Sequence, residues 1–337
     1  MAGSQERVLR RRIRSVESTK KITRAFELIA ASRIIRAQQA IVAARPYVAK
    51  MAQVVANLAD TPEASSQPIF ADAGEEASES PEKVAVILIA ADRGLAGAYN
   101  SSVIRAAERA IREHERAGRE VTLVTVGRKA ETYFRFRKRQ IDTSITGITE
   151  RPGFEDARRV VAAISEQLAT GEIGQVQLVY TQFLTMSSQA VALRQLVPID
   201  REAVAAGAEQ AEPAEDAADR EPGERHGAHK TVYEFEPEPD EILERLLPRW
   251  LEAEVLAAML EAAASQQAAR QRAMKAATEN ADELIKVFRR DMNRARQESI
   301  TTEIMEIVGG SEALRQGGAD DQSGLYHEFF EPAAESA

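Results

Sequence analysis

The sequence predicts an α/β protein: one compact α/β domain set between two long terminal helices that pair as an antiparallel coiled coil. Three observations predict it. Apolar residues near both ends recur in alternating three- and four-residue steps, the heptad signature. Aromatic residues are scarce, at 5%, while 29% of residues are charged and alanine is plentiful, a composition suited to long, closely packed helices. In the middle, continuous apolar runs end in glycine-containing turns, as strands buried on both faces do.

Residues 5 to 58 read as helix. Ile34, Ala37, Ile41, Ala44, Val48, Met51, Val55 and Leu58 form its seam. Pro46 interrupts that run, and an interior proline costs about 3 kcal/mol, so a kink or break is expected near Arg45 and Pro46. Residues 61–82, TPEASSQPIFADAGEEASESPE, read as a polar linker with proline near both ends. From residue 83 a new texture begins. Val84 to Ala91 predicts a buried strand, the following ADRGLAGAYN a turn, and Asn100 or Ser101 a cap for a helix over 102–117. EVTLVTVG at 120–127 predicts a second strand, and a helix is expected over 154–169. QVQLVYTQFL and QAVALRQLVPI then make two strands, joined by the turn-like TMSS. Residues 83–200 are therefore one α/β domain.

Residues 201–240 are acidic and rich in alanine and proline, too poor in apolar surface to order themselves, and read as a flexible insertion. The last helix is expected from Glu241 to Val308, within a 241–310 coiled-coil segment. Its seam is Met274, Ala277, Ala281, Leu284 and Phe288, and Gly309 with Gly310 is its stop. At 1.5 Å per residue it reaches roughly 100 Å. Alanines along it let two helices approach closely at high helix propensity. Residues 311–337 read as a disordered acidic tail.

Composition excludes several functions. There is no cysteine, so disulfides, thiolate metal sites and thiol nucleophiles are ruled out. Only two of the four histidines, His226 and His229, lie close together, in a stretch too polar to give a metal the support it needs. A net charge of -9 argues against a dedicated nucleic-acid binder. No run approaches the roughly 20 apolar residues of a membrane span, and the N-terminus lacks a signal-peptide core, so a soluble, cytosolic chain is expected. Gly94 and Gly97 do not complete a dinucleotide fingerprint, and no Lys-Ser or Lys-Thr follows to make a P-loop. No catalytic constellation stands out, and no cofactor is expected on this chain. The basic stretch RVLRRRIRSVESTKKITR, residues 7–24, reads as a solvated helix face or as a surface for an acidic protein, with nucleic acid and anionic lipid as lesser alternatives.

Three blocks, in order, resemble one family. SVESTKKITRAFELIAASR, AADRGLAGAYN, and SQQAARQRAMKAATENADELI with ARQESITTEIMEIVGG look like the signature segments of the gamma subunits of F-type ATP synthases. The resemblance implies an antiparallel coiled coil with a Rossmann-like α/β domain at its foot, acting as the central rotor shaft. It implies one copy per complex inside a ring of three alpha and three beta subunits. Its foot would contact the epsilon subunit and the c-subunit ring, with peripheral attachment at the cytoplasmic face of the bacterial membrane and catalysis left to the partners. By similarity, Phe26 lies near the beta lever, Arg270 and Gln271 where the shaft meets a beta loop, and Gln297, Thr301, Glu303 and Glu306 at C-terminal contacts within the ring. Phe26 stands where the family often has methionine. The insertion falls where photosynthetic members carry a regulatory cysteine pair, which this chain lacks, and the tail beyond Leu314 passes the point where many members end.

Overall fold

The computed structural model describes residues 2–59, 82–199 and 239–325, so residues 61–81 of the expected linker, 201–238 of the insertion with both of its histidines, and the end of the tail lie outside the described residues. The chain divides into two compact units, one of residues 1–24 with 276–337 and one of residues 25–275. Helix α1 spans Ala2–Ala59 and helix α5 spans Pro239–Leu325.

The larger unit is built on a five-stranded sheet of β1 (Lys83–Ile89), β2 (Glu120–Val126), β3 (Thr143–Ile145), β4 (Gln175–Phe183) and β5 (Gln189–Val197), ordered β3-β2-β1-β4-β5. β1 lies parallel to β2 and β4, β2 parallel to β3, and β5 closes the edge antiparallel to β4. The apolar run of β1 is buried on both faces, because side chains alternate across a strand. Ala85, Ile87 and Ile89 join a core with Val160 and Ile164 of α4 (Phe154–Ala169), Val55 and Leu58 of α1, and Trp250 and Leu251 of α5. Val84, Val86 and Leu88 join a second core with Val103 and Ile111 of α2 (Tyr99–Arg116) and Phe134 of α3 (Arg128–Phe136). The result is three layers, helix on both faces of a mostly parallel sheet.

Several expectations are corrected. α2 begins at Tyr99 with Ala98 in the cap position and no side-chain cap, because Asn100 instead accepts the Ala91 N–H at 3.0 Å. α3 and β3 are additional elements; nine and three residues are too few for periodicity to reveal. α1 is not broken at Pro46. That residue faces solvent while Ala44, Val48 and Met51 stay half-buried around it, so packing holds the helix through the lost hydrogen bond. α5 likewise runs through Gly309 and Gly310 to Leu325, since an interior glycine costs only about 1 kcal/mol against alanine.

In the smaller unit, the start of α1 and the second half of α5 run antiparallel. Residues rising along α1 meet residues falling along α5: Arg289 donates to Glu17 at 2.9 Å, Lys20 to Asp282 at 2.5 Å, and the Thr23 and Thr278 hydroxyls lie 2.8 Å apart. Leu9 and Ile13 of α1 and Ala281, Ile285 and Ala295 of α5 are buried. Along this part of α5 Thr278, Ala281 and Ile285 are buried and Phe288 is half-buried, so the expected seam is off by one at two places: Thr278 and Ile285 are buried where Ala277, half-buried, and Leu284, exposed, were expected. Thr278 is covered although polar, which hid it from an apolar pattern. On α1 the seam continues far upstream of Ile34, through Leu9, Ile13, Val16, Lys20, Thr23, Glu27 and Ala30, in the same three-four steps.

Candidate functional site

The ADRGLAGAYN segment is a strand-to-helix turn held by one carboxylate. Asp92 accepts N–H bonds from Arg128 at 3.1 Å, Gly147 at 2.8 Å and Thr149 at 3.1 Å, and an O–H bond from Thr149 at 2.8 Å. Burial pushes its carboxyl upward, but these donors together outweigh it and hold the group below its ordinary value. Asp92 thereby ties the end of β1 to the start of α3 and to the loop after β3. Gly127, beside it, has φ +100°, and a Cβ there would meet the Ala90 carbonyl oxygen at 2.5 Å, so only glycine fits.

The site residues expected on the larger unit separate by burial. Phe26 is exposed, 39% of its surface open, and Leu28 and Ile29 beside it are exposed too. Arg270 is buried, 7% exposed, and Gln271 is half-buried. Arg270 is therefore no free surface group. Its guanidinium donates to Glu150 at 3.4 Å and to the Gln267 side chain at 3.3 Å. Glu150 also receives Arg33 at 2.6 Å, and Arg93 lies 3.6 Å away. Three arginines share one carboxylate. Burial lowers the Arg270 pKa, Glu150 opposes that, and the like charges of Arg33 and Arg93 add to the lowering. Asp92 and Glu150 were not legible in the sequence, since a carboxylate's value here depends on loops brought together by the sheet.

On the smaller unit, Gln297, Thr301, Glu303 and Glu306 are all exposed on α5, and Thr301 spends its hydroxyl on the Gln297 carbonyl at 3.0 Å. Around them Ile300, Ile304, Met305, Ile307, Val308 and Leu314 are exposed as well. Six large apolar residues within one helical stretch form an uncovered surface of the kind that marks an interaction site. In the basic stretch at 7–24, most cations are exposed and Lys20 is half-buried against Asp282. Among the described residues no cluster of side chains could hold a metal ion, and no described helix is long and apolar enough to cross a membrane.

An anchored sheet domain with long helices that carry exposed apolar side chains suits a subunit of a larger assembly. Comparison with known proteins identifies the assembly's family. The sequence family described as ATP synthase matches residues 5–314. The ATP synthase gamma chain of Streptomyces coelicolor is 40% identical over 324 residues, covering 94% of this chain and 98% of that one. The gamma chain of Kineococcus radiotolerans is 42% identical over 323 residues, covering 95% and 99%. A chain of the Euglena gracilis mitochondrial ATP synthase, in a structure of OSCP, F1 and c-ring, shares the fold with TM-score 0.60 at 20% identity, covering 99% of this chain and all of that one. A chain of the Tetrahymena thermophila central stalk and c-ring shares it at TM-score 0.52 and 24% identity, covering 76% and 99%. The chain belongs to the family of ATP synthase gamma chains, the central-stalk subunits of F-type ATP synthases.

Proposed function

We propose that this chain is the single-copy rotor shaft of a proton-translocating ATP synthase, coupling proton flow to sequential conformational change at three catalytic beta subunits. The coiled coil turns inside a ring of three alpha and three beta subunits. The α/β foot binds the epsilon subunit and the c-ring, which holds the chain peripherally at the cytoplasmic face of the membrane. No catalytic site is assigned to this chain; nucleotide chemistry belongs to its partners. The observation that carries the reading is the exposed apolar surface at residues 300–314 of α5, in a chain of this family, since such a surface calls for a partner to cover it.

Rotor–stator contact is assigned to Phe26, Gln297, Thr301, Glu303 and Glu306 directly, as exposed side chains. Arg270 and Gln271 are assigned the same contact from a more buried position, where Arg270 also positions Arg33 through their shared Glu150. The shaft must store energy between steps. One proton crossing about 150 mV releases roughly 3.5 kcal/mol, less than one ATP requires, so several steps are summed before each release. The test is the native mass and composition of the assembly that co-purifies with the tagged chain from its own membranes after mild extraction. One copy with three alpha and three beta subunits is expected; a free monomer or a homo-oligomer overturns the reading.

A further inference from the structure

The outer surface of α2 and α3, in the larger unit, runs against the charge of the chain. Residues 99–140 hold eleven lysines and arginines against five glutamates, in a chain of net charge -9. Arg105, Arg109, Arg112 and Arg116 recur in steps of four, three and four residues, so they share one exposed face of α2. α3 ends in RFRKR, residues 135–139, where Arg135, Arg137 and Lys138 are exposed. Two ion pairs join the two groups: Arg137 lies 3.7 Å from Glu108, and Arg139 donates to Glu115 at 2.6 Å. Cations remain in excess, since among the described residues Arg105, Arg109, Arg116 and Lys138 have no carboxylate within ion-pair distance.

A second observation is independent of charge. Phe136, in the middle of RFRKR, has 83% of its surface exposed, against 1% for Phe134. Residues two apart on a helix lie on nearly opposite faces, so the packing of Phe134 into the core beside β1 turns Phe136 outward. The backbone fixes it there. Lys138 has φ +55°, and the turn it makes is closed by its N–H on the Arg135 carbonyl and by the Arg139 N–H on the Phe134 carbonyl, both at 3.0 Å. An aromatic ring is thus held in water with cations on either side of it.

We propose that the end of α3 and the arginine face of α2 dock on a membrane surface rich in anionic phospholipid, with Phe136 entering the boundary between headgroups and acyl chains and the surrounding cations at the headgroup phosphates. A cluster of roughly four to eight cations is enough to favour such a surface, and an aromatic side chain adds an apolar anchor. A protein partner fits less well, because the centre of a stable interface is apolar and depleted of charge, whereas Phe136 is the one large exposed apolar residue of the stretch 99–140. Nucleic acid fits less well again, since a single ring is no platform for successive bases. The chain makes this contact by itself, so the inference does not rest on the rotor reading.

The test is cosedimentation of the purified full chain with vesicles of phosphatidylglycerol and phosphatidylcholine in equal parts, set against vesicles of phosphatidylcholine alone. Binding to the anionic vesicles only is expected, weakening as salt is raised. Arg109→Gln with Lys138→Gln should weaken it at least about tenfold, and Phe136→Ser, which leaves the charge unchanged, severalfold. Arg11→Gln with Arg12→Gln, in the other basic stretch, should change it less than about twofold if the contact lies where the cations and the ring meet. All five side chains are exposed, so the variants keep the fold. Failure of the wild-type chain to bind anionic vesicles overturns the proposal, as does equal binding by wild type and both patch variants. A loss with the Arg11 and Arg12 pair as large as with the Arg109 and Lys138 pair overturns it as well, because the attraction is then a matter of net charge alone. Loss with the Arg109 and Lys138 pair but none with Phe136→Ser overturns it in favour of an acidic protein or another polyanion.

Discussion

Two stretches of the same helix, α5, meet opposite fates. From Trp250 to Arg270 nearly every residue is buried, including Glu254, Ser265 and Gln266, whereas from Ile300 to Leu314 every residue is exposed, including five isoleucine, valine or methionine side chains. The first stretch finds its cover within the chain, between the sheet and α1. The second has no cover among the described residues. Apolar content alone does not distinguish them, so the difference lies in what is built around each: burial in the first stretch is folding energy, and exposure in the second is surface held ready for association.

The comparison can be broken most forcefully at Trp250, which is 2% exposed. Trp250→Ala should lower stability by about 3–5 kcal/mol, because a large cavity opens against the sheet. Denaturant melts of the full chain check it; a loss below about 1 kcal/mol would place the core elsewhere. Next comes the anchor of the domain that covers this stretch. Asp92→Asn should cost about 2 kcal/mol near neutral pH, as charge-assisted bonds from four donors weaken. The pH dependence has a definite sign. A carboxyl held below its ordinary value contributes stability that is complete above the unfolded value of about 3.9 and disappears as pH falls through the lower folded value. The gap between wild type and variant should therefore be constant from pH 7 to 5 and close below about pH 4. A gap that widens on acidification contradicts the assignment.

Effects at the exposed end should be smaller and of the other kind. Gly309→Ala and Gly310→Ala should each stabilise the helix by about 0.5–1 kcal/mol, since nothing lies within 4 Å of an added Cβ at either glycine. A gain in helicity by circular dichroism checks this. Smallest of all on stability is Ile304→Ser with Ile307→Ser, within about 0.5 kcal/mol because both side chains are already in water. The same pair should nevertheless reduce recovery of the chain in its assembly, and that dissociation of folding from association is what the comparison requires.

The legible parts of the sequence were those written as periods. The β1 run, the two strands joined by TMSS, and the α1 seam from Ile34 to Leu58 appear as expected, with Thr185 and Ser188 closing the turn at 2.9 Å. Illegible were features set by a single polar residue among apolar ones. Thr278 replaces Ala277 in the α5 seam because its hydroxyl finds Thr23, and no apolar pattern registers such a pair. Arg270 was expected at a contact with a partner, and its burial was not legible, because its partner Glu150 lies 120 residues away and only folding brings them together. Pro46, Gly309 and Gly310 were overread as breaks: local preferences of about 1–3 kcal/mol yield to a helix held or continued on either side.

The Thr23–Thr278 contact has a practical consequence. The chain contains no cysteine, so a pair of cysteines placed at these two positions would have no rival thiol to mispair with. Their hydroxyls already lie 2.8 Å apart across the two antiparallel helices of the smaller unit. Oxidising such a pair would weld α1 to α5 at a chosen moment, and reducing it would release them. The contact therefore marks a place where a reversible covalent clasp can be installed, with a fluorophore on a lone cysteine elsewhere as the alternative use of the same blank chemical background.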